Sequence, residues 1–230
     1  GLLAMLGYAQ VQVTRRPRIA VLSSGDEILP LQAPLQPGKI YDSNGVMLAA
    51  LIRQSGGLPI QLGIARDRQE AVRELLDQAV AERADLILSS AGVSVGAYDF
   101  VRSVVEQAGE LKFWRVNMRP GKPLAFGAYH SVPFVGLPGN PVSAFVGYTL
   151  FVHPAIAQMQ GLLANSRPVY RVQLAERVES DGRESYLRGL VTLTDGRLTA
   201  RLVGHQGSGN LRSLVQGNAL LIIPSGVKSL

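Results

Sequence analysis

Residues 17 to about 161 alternate between two hydrophobic rhythms. Short, unbroken apolar runs rich in β-branched residues predict buried strands at 18–23, 59–64 and 85–89. Between them, apolar residues at helical spacing predict helices at 44–54, 69–83 and 100–107. The middle helix shows its face most clearly, with Ala71, Val72, Leu75, Leu76, Ala79 and Val80. Shorter strands at 113–116, 124–126 and 133–135 follow. A long, mostly apolar helix over 141–160 comes next, and its Pro141 suits a first helical turn. Such alternation predicts an α/β fold, a mostly parallel sheet with helices on both faces. Ligands of such sheets bind at the carboxyl ends of the strands, where loops meet helix N-termini.

After residue 165 the rhythm changes. Alternating runs at 170–174, 185–191, 197–203 and 219–223 are separated by the turn pairs Asp181-Gly182, Asp195-Gly196 and Gly217-Asn218. They predict a small all-β, barrel-like domain. The expected division is a connector over 1–16, an α/β domain over 17–164 and a β domain over 165–230.

Composition narrows the function classes. The 230 residues are 47% hydrophobic and 17% charged, which suits a packed core and not a disordered chain. No run of about 18 uncharged apolar residues is present, so no membrane span is expected. The apolar first ten residues lack the basic start of a signal peptide. The absence of cysteine excludes disulfides, zinc–thiolate sites and thiol catalysis, and fits a reducing cytoplasm. Lys and Arg number 23 against 17 acidic residues, a net charge of +6. These cations are scattered with no nucleic-acid-binding pattern among them, so the balance points to phosphate or oxyanion ligands and not to nucleic acid. His130, His153 and His205 are isolated, and His130 falls in an expected hairpin turn. With no hydrolytic triad, P-loop or dinucleotide fingerprint, hydrolase, nucleoside-triphosphatase and dehydrogenase readings lose their support.

Several loops at the expected strand ends are candidates for chemistry. In 89–99, Gly92 and Gly96 allow backbone N–H groups to approach a ligand closely, and Ser90 and Ser94 add hydroxyls. A plain βα turn with Asp99 as helix cap is the structural alternative. Asp26, Glu27, Asp42, Asp67 and Asp99 recur at strand ends. As a set they offer hard oxygen ligands for Mg²⁺, while Asp42 and Asp67 individually suit helix caps. Arg119 and Lys122 flank the Pro120-Gly121 turn and supply a planar cation and a point charge for oxyanions. The stretch Gly136-Leu137-Pro138-Gly139-Asn140-Pro141-Val142-Ser143 packs two prolines and two glycines between a strand and a helix, with Asn140 and Ser143 free to hydrogen-bond.

Taken together these loops resemble the molybdopterin molybdenumtransferase family, the bacterial MoeA proteins and the E domain of gephyrin. The resemblance rests on Ser24-Gly25-Asp26-Glu27, on Ile40-Tyr41-Asp42-Ser43-Asn44 and on residues 62–67 ending in Asp67. It extends through 89–96 with Tyr98-Asp99, Arg119-Pro120-Gly121-Lys122-Pro123, the 136–143 loop and Gly204-His205-Gln206-Gly207-Ser208. All occur in the family's order and span nearly the whole chain. Two positions depart from the pattern: Ala91 stands where a second glycine is usual, and Arg119 where some members carry Lys.

The resemblance implies a C-terminal part of a longer enzyme, lacking an N-terminal half that completes the active site across a homodimer. It implies insertion of molybdate into adenylylated molybdopterin with release of AMP, assisted by Mg²⁺. On that basis Glu27, Asp67 and Asp99 are the expected metal ligands and, with Arg119 and Lys122, the catalytic set. Asp42, Ser90, Gly92, Ser94, Gly96, Gly121, Gly136, Gly139, Asn140, Ser143, Arg188 and Ser208 are the expected contacts to the molybdopterin substrate. Arg188 enters through the motif Tyr186-Leu187-Arg188-Gly189. The molybdopterin adenylyltransferase is an expected pathway partner. It is also the rival enzymatic reading, since it shares the α/β domain but usually lacks the β domain. A non-catalytic scaffolding module is the third.

Overall fold

The computed structural model describes residues 1–90, 98–162 and 168–230, and the side chains of Tyr98, Asp99 and Trp114 lie outside that description. A short helix α1 (Leu2–Met5) precedes β1 (Arg18–Ser24), β2 (Ile28–Leu29), β3 (Ile40–Tyr41), α2 (Ser43–Gln54), β4 (Leu58–Ala65), α3 (Gln69–Ala81) and β5 (Leu86–Ser90). Then come α4 (Tyr98–Ala108), β6 (Gly109–Arg115), β7 (Met118–Arg119), β8 (Pro123–Tyr129), β9 (Val132–Leu137), α5 (Pro141–Gly147) and α6 (His153–Met159). The last part holds β10 (Gln173–Leu174), β11 (Glu184–Thr194), β12 (Arg197–Leu202), α7 (Leu211–Gln216) and β13 (Ala219–Ile223).

The main sheet has the order β4-β1-β5-β9-β8-β6. The first four strands are mutually parallel, β8 runs antiparallel to them, and β6, antiparallel to β8, runs in their direction again. The sheet is therefore mixed: parallel where βα units feed it and antiparallel where the chain turns back directly. The β8–β9 hairpin closes on His130 and Ser131, whose φ values of 43° and 68° suit a tight two-residue turn.

Successive strand residues face opposite sides, and each side has its own core. Ile19, Val21, Leu86 and Leu88 pack with Leu48 and Ile52 of α2 and with Ala144, Tyr148, Val152 and Ile156 of the α5–α6 run. Ala20, Leu22 and Ile87 pack on the other side with Val72, Leu76 and Ala79 of α3 and Val101, Val104 and Val105 of α4. Each fully buried Leu or Ile contributes about 1.5–3 kcal/mol, so these two layers carry the domain.

The helical run over 141–159 is continuous, but Tyr148–Val152 forms a π-helical turn between α5 and α6. By length and composition this run would suffice to cross a membrane, yet more than half of it is buried against the sheet. The connector is fastened at its end: Arg15 grips Asp85 through both carboxylate oxygens, and Arg16 donates to the carbonyls of Gly56 and Gly57. The Arg15 guanidinium holds the Asp85 carboxyl below its usual range.

The second sheet has the order β10-β12-β11-β13, with β7 paired parallel to β11. Its core is Val178, Leu187, Ala200, Leu221 and Ile223. Two features lie beyond the alternating pattern. The six-residue helix α7 joins the β elements, and β7 comes from the 117–122 loop of the preceding domain, so the two sheets share a strand junction.

Candidate functional site

Because β4, β1, β5 and β9 run parallel, their carboxyl ends lie along one edge of the sheet. The antiparallel β8 begins at that same edge, and β6 ends there. The topology thus brings together the ends of β1 (Asp26, Glu27), β4 (Asp67), β5 (Ser90) and β9 (139–143), plus the 116–122 loop with Arg119 and Lys122.

At the β1–β4 end, Asp26 and Asp67 exchange hydrogen bonds: each carboxylate accepts the other's backbone N–H at 3.3 Å. Asp67 is therefore not the cap of α3, as its position suggested. Arg68 precedes that helix in extended conformation without a side-chain cap. The Oδ1 of Asp67 is buried and has no hydrogen-bond partner among the described residues, an open hard oxygen acceptor. Glu27 folds back over Gly25, which takes φ +142°; a side chain at that glycine would strike the Glu27 carboxylate at 2.5 Å. Lys39 and Arg66 both donate to the Asp26 carbonyl, placing two cations beside the carboxylates. Among the described residues no group of three or more acidic or His side chains is close enough to hold a metal ion. Asp99 lies in the first turn of α4, inside the helix and not at its cap, and its side chain is outside the described residues.

In the next position, Asp42 caps α2 by accepting the Gly45 N–H at 2.9 Å, and both its oxygens accept from the Ser23 hydroxyl at 2.9 Å. These bonds give the carboxylate a structural task. Asn44, two residues on, donates its Nδ2 to the Gly139 carbonyl at 2.7 Å and so ties α2 to the 136–143 loop. Its Oδ1, like the Ser24 and Ser90 hydroxyls, is buried without a partner among the described residues. Nothing in the spacing of the 40–44 motif singles Asn44 out; its burial at the second position of a helix is visible only in three dimensions.

The 136–143 loop ends in Asn140, which precedes α5 without capping it and is exposed. Gly121 takes φ +105°, and a side chain there would press on Met118 at 3.1 Å and approach the Ser143 carbonyl at 3.7 Å. The Arg119–Lys122 turn therefore lies against the first turn of α5. Lys122 is exposed, and its ammonium makes no hydrogen bond or ion pair to any described residue. Arg119 lies 3.9 Å from Asp181. Asp181 is held mainly by Arg183, whose guanidinium lowers its carboxyl to about 2. The β domain reaches the same place, since the Ser208 carbonyl accepts the Val142 N–H at 3.0 Å.

Arg188 is 1% exposed. It donates to the Ser213 hydroxyl at 2.9 Å and to the carbonyls of Gly207 and His205, while its Nη1 has no partner among the described residues. Burial, and then the charge of Arg119, lower its pKa. These bonds anchor the 204–208 loop. Gly136 is buried at the end of β9. Gly92, Ser94 and Gly96 lie outside the described residues.

A mixed sheet with helical layers on both faces carries buried polar groups along its carboxyl edge, with a cationic turn beside them. Comparison with known proteins makes this specific. Residues 20–158 match the family described as a probable molybdopterin binding domain, and residues 171–230 match the MoeA C-terminal region, domain IV. The chain belongs to the molybdopterin molybdenumtransferase family. It is 43% identical to the molybdopterin molybdenumtransferase of Nostoc sp., over 98% of this chain and 53% of that protein. It is 38% identical to that of Haemophilus influenzae, over 96% and 55%. A solved structure of the molybdopterin biosynthesis MoeA protein from Pyrococcus horikosii superposes with a TM-score of 0.85 at 34% identity, covering 100% of this chain and 55% of that one. The chain spans about half the length of the curated relatives it matches.

Proposed function

We propose that this chain supplies the molybdopterin-binding part of a molybdenum-inserting enzyme, in which adenylylated molybdopterin and molybdate are converted to molybdenum cofactor and AMP. The observation that carries this reading is the meeting, on one sheet edge, of buried polar atoms and the Lys122 cation, all without partners among the described residues. A ligand carrying both a polar heterocycle and phosphate oxygens would satisfy both groups, and the relatives' names point to the same chemistry.

Within this reading Lys122 and Arg119 hold the oxyanion, molybdate or phosphate, from the Pro120-Gly121 turn. Asn140 and Ser143, at the start of α5, orient the substrate. Gly121, Gly136 and Gly139 let the backbone come close, and Ser208 completes the wall from the β domain. Ser90 opens the 91–97 segment, whose Gly92, Ser94 and Gly96 are assigned to the phosphate on the sequence resemblance alone. Mg²⁺ would be held by Glu27, Asp67 and Asp99, a set that the open Oδ1 of Asp67 suits, and would neutralise charge on the phosphates. Relatives' extra length, a homodimer and delivery of substrate by the adenylyltransferase complete the proposed setting.

The second matched region, 171–230, favours this reading over the adenylyltransferase, which usually consists of the α/β domain alone. Two incubations separate them. With adenylylated molybdopterin and Mg²⁺, AMP release should rise when molybdate is added. With molybdopterin and Mg-ATP, formation of adenylylated molybdopterin would instead favour the adenylyltransferase.

A further inference from the structure

At the carboxyl edge, on the α2–α5 side of the sheet, two buried polar atoms lack partners among the described residues. Leu86 and Leu88 face that side, so Ser90, two residues further along β5, faces it too. Ser90 is 1% exposed, and its Oγ has no hydrogen bond to any described residue. In register, Ser90 pairs with Leu137 of β9, two residues before Gly139. Gly139 is the residue whose carbonyl accepts the Nδ2 of Asn44. Asn44 is 8% exposed, and its Oδ1 is likewise unpartnered. The Gly139 bond fixes the orientation of the amide, because a flipped side chain would set two acceptors against each other. Oδ1 is therefore held as a free acceptor.

A buried acceptor without a donor is costly, and proteins keep such groups chiefly where a ligand or water completes them. The ligand that completes this one is not an anion. The Oδ1 of Asn44 carries partial negative charge, and the Asp42 carboxylate lies on the same helix turn, so a phosphate would be repelled. A neutral ring bearing N–H donors beside a carbonyl meets both atoms: its N–H donates to Asn44, and the Ser90 hydroxyl donates to its carbonyl.

We propose that Asn44 and Ser90 are specificity-determining residues that read the amino–lactam edge of the pterin ring. This divides the edge of the sheet into a neutral half at α2 and an anion half at Arg119 and Lys122. The assignment rests on the functional reading above.

The test is titration of the chain with molybdopterin at several salt concentrations, for wild type, Asn44→Leu, Ser90→Ala and Lys122→Ala. Losing a hydrogen bond in a buried site should weaken binding about tenfold in each of the first two variants. Because the lost contact is neutral, the salt dependence of binding should stay parallel to wild type, whereas Lys122→Ala should flatten it. Ser90→Ala removes only an unpaired hydroxyl, so its thermal midpoint should hold or rise while affinity falls. If Asn44→Leu does not fold, Ser90→Ala decides alone. Wild-type affinity in Ser90→Ala, or a salt slope altered as in Lys122→Ala, would overturn this assignment and leave the functional reading standing. Failure of the unaltered chain to bind molybdopterin would overturn both.

Discussion

The Val142 amide donates to the Ser208 carbonyl at 3.0 Å, so a loop of the β domain closes the first turn of α5. Arg188 holds that loop from behind through Gly207 and His205. Replacing Arg188 by Ala should lower stability by about 2–3 kcal/mol, the scale of lost hydrogen bonds to a charged group. It should also speed hydrogen exchange at the Val142 amide. Denaturant midpoints and amide exchange check this; unchanged protection at Val142 would mean that the loop is held by other contacts.

Asp42 is a cap before it is anything else. Asp42→Ala removes the acceptor for both Gly45 N–H and the Ser23 hydroxyl, and should cost about 1–2 kcal/mol of stability. Asp42→Asn, which keeps an oxygen acceptor, should recover most of it. If molybdopterin affinity falls with Asn while stability holds, the carboxylate has a role in binding that its hydrogen bonds do not require.

Lys122 presents the opposite case. Exposed and unpaired among the described residues, it should tolerate Lys122→Ala within about 0.5 kcal/mol of wild-type stability. Oxyanion affinity should drop by about tenfold or more, as for a lost charge-assisted bond. Thermal melts and ligand titration on one preparation separate the two effects.

Asp181 gives the β7–β11 junction a pH signature. Arg183 depresses its carboxyl to about 2. A depressed folded-state pKa contributes stability above the unfolded value of about 4 and loses it as pH falls toward 2. The stability difference between wild type and Asp181→Asn should therefore be full at neutral pH, shrink from about pH 4 downward and vanish near pH 2. A difference that does not change between pH 5 and pH 2 would show that the ion pair is not its source.

Much of the fold is legible from the sequence because it is locally encoded. The strand expected at 219–223 is β13 residue for residue, and the apolar face of α3 is the buried Val72, Leu76 and Ala79. The parts that escape notice are non-local. The pairing of residues 118–119 with β11 has no periodicity of its own, and the six residues of α7 are too few to show one. Asp67 looks like a cap in one dimension, but its partner is Asp26, 41 residues away. Arg188 is harder still, since arginine is almost never fully buried and only the carbonyls around it explain its place. For the candidate site, the parallel strand ends gather the acidic and cationic loops that the motifs mark, whereas the free acceptor of Asn44 depends on a hydrogen bond spanning 95 residues.

Titration with adenylylated molybdopterin, by wild type and by Lys122→Ala, tests the central claim most directly. The account predicts saturable binding to the unaltered chain, weakened about tenfold or more by the substitution with no loss of thermal stability. Absence of binding, or equal affinity in the two proteins, would contradict it.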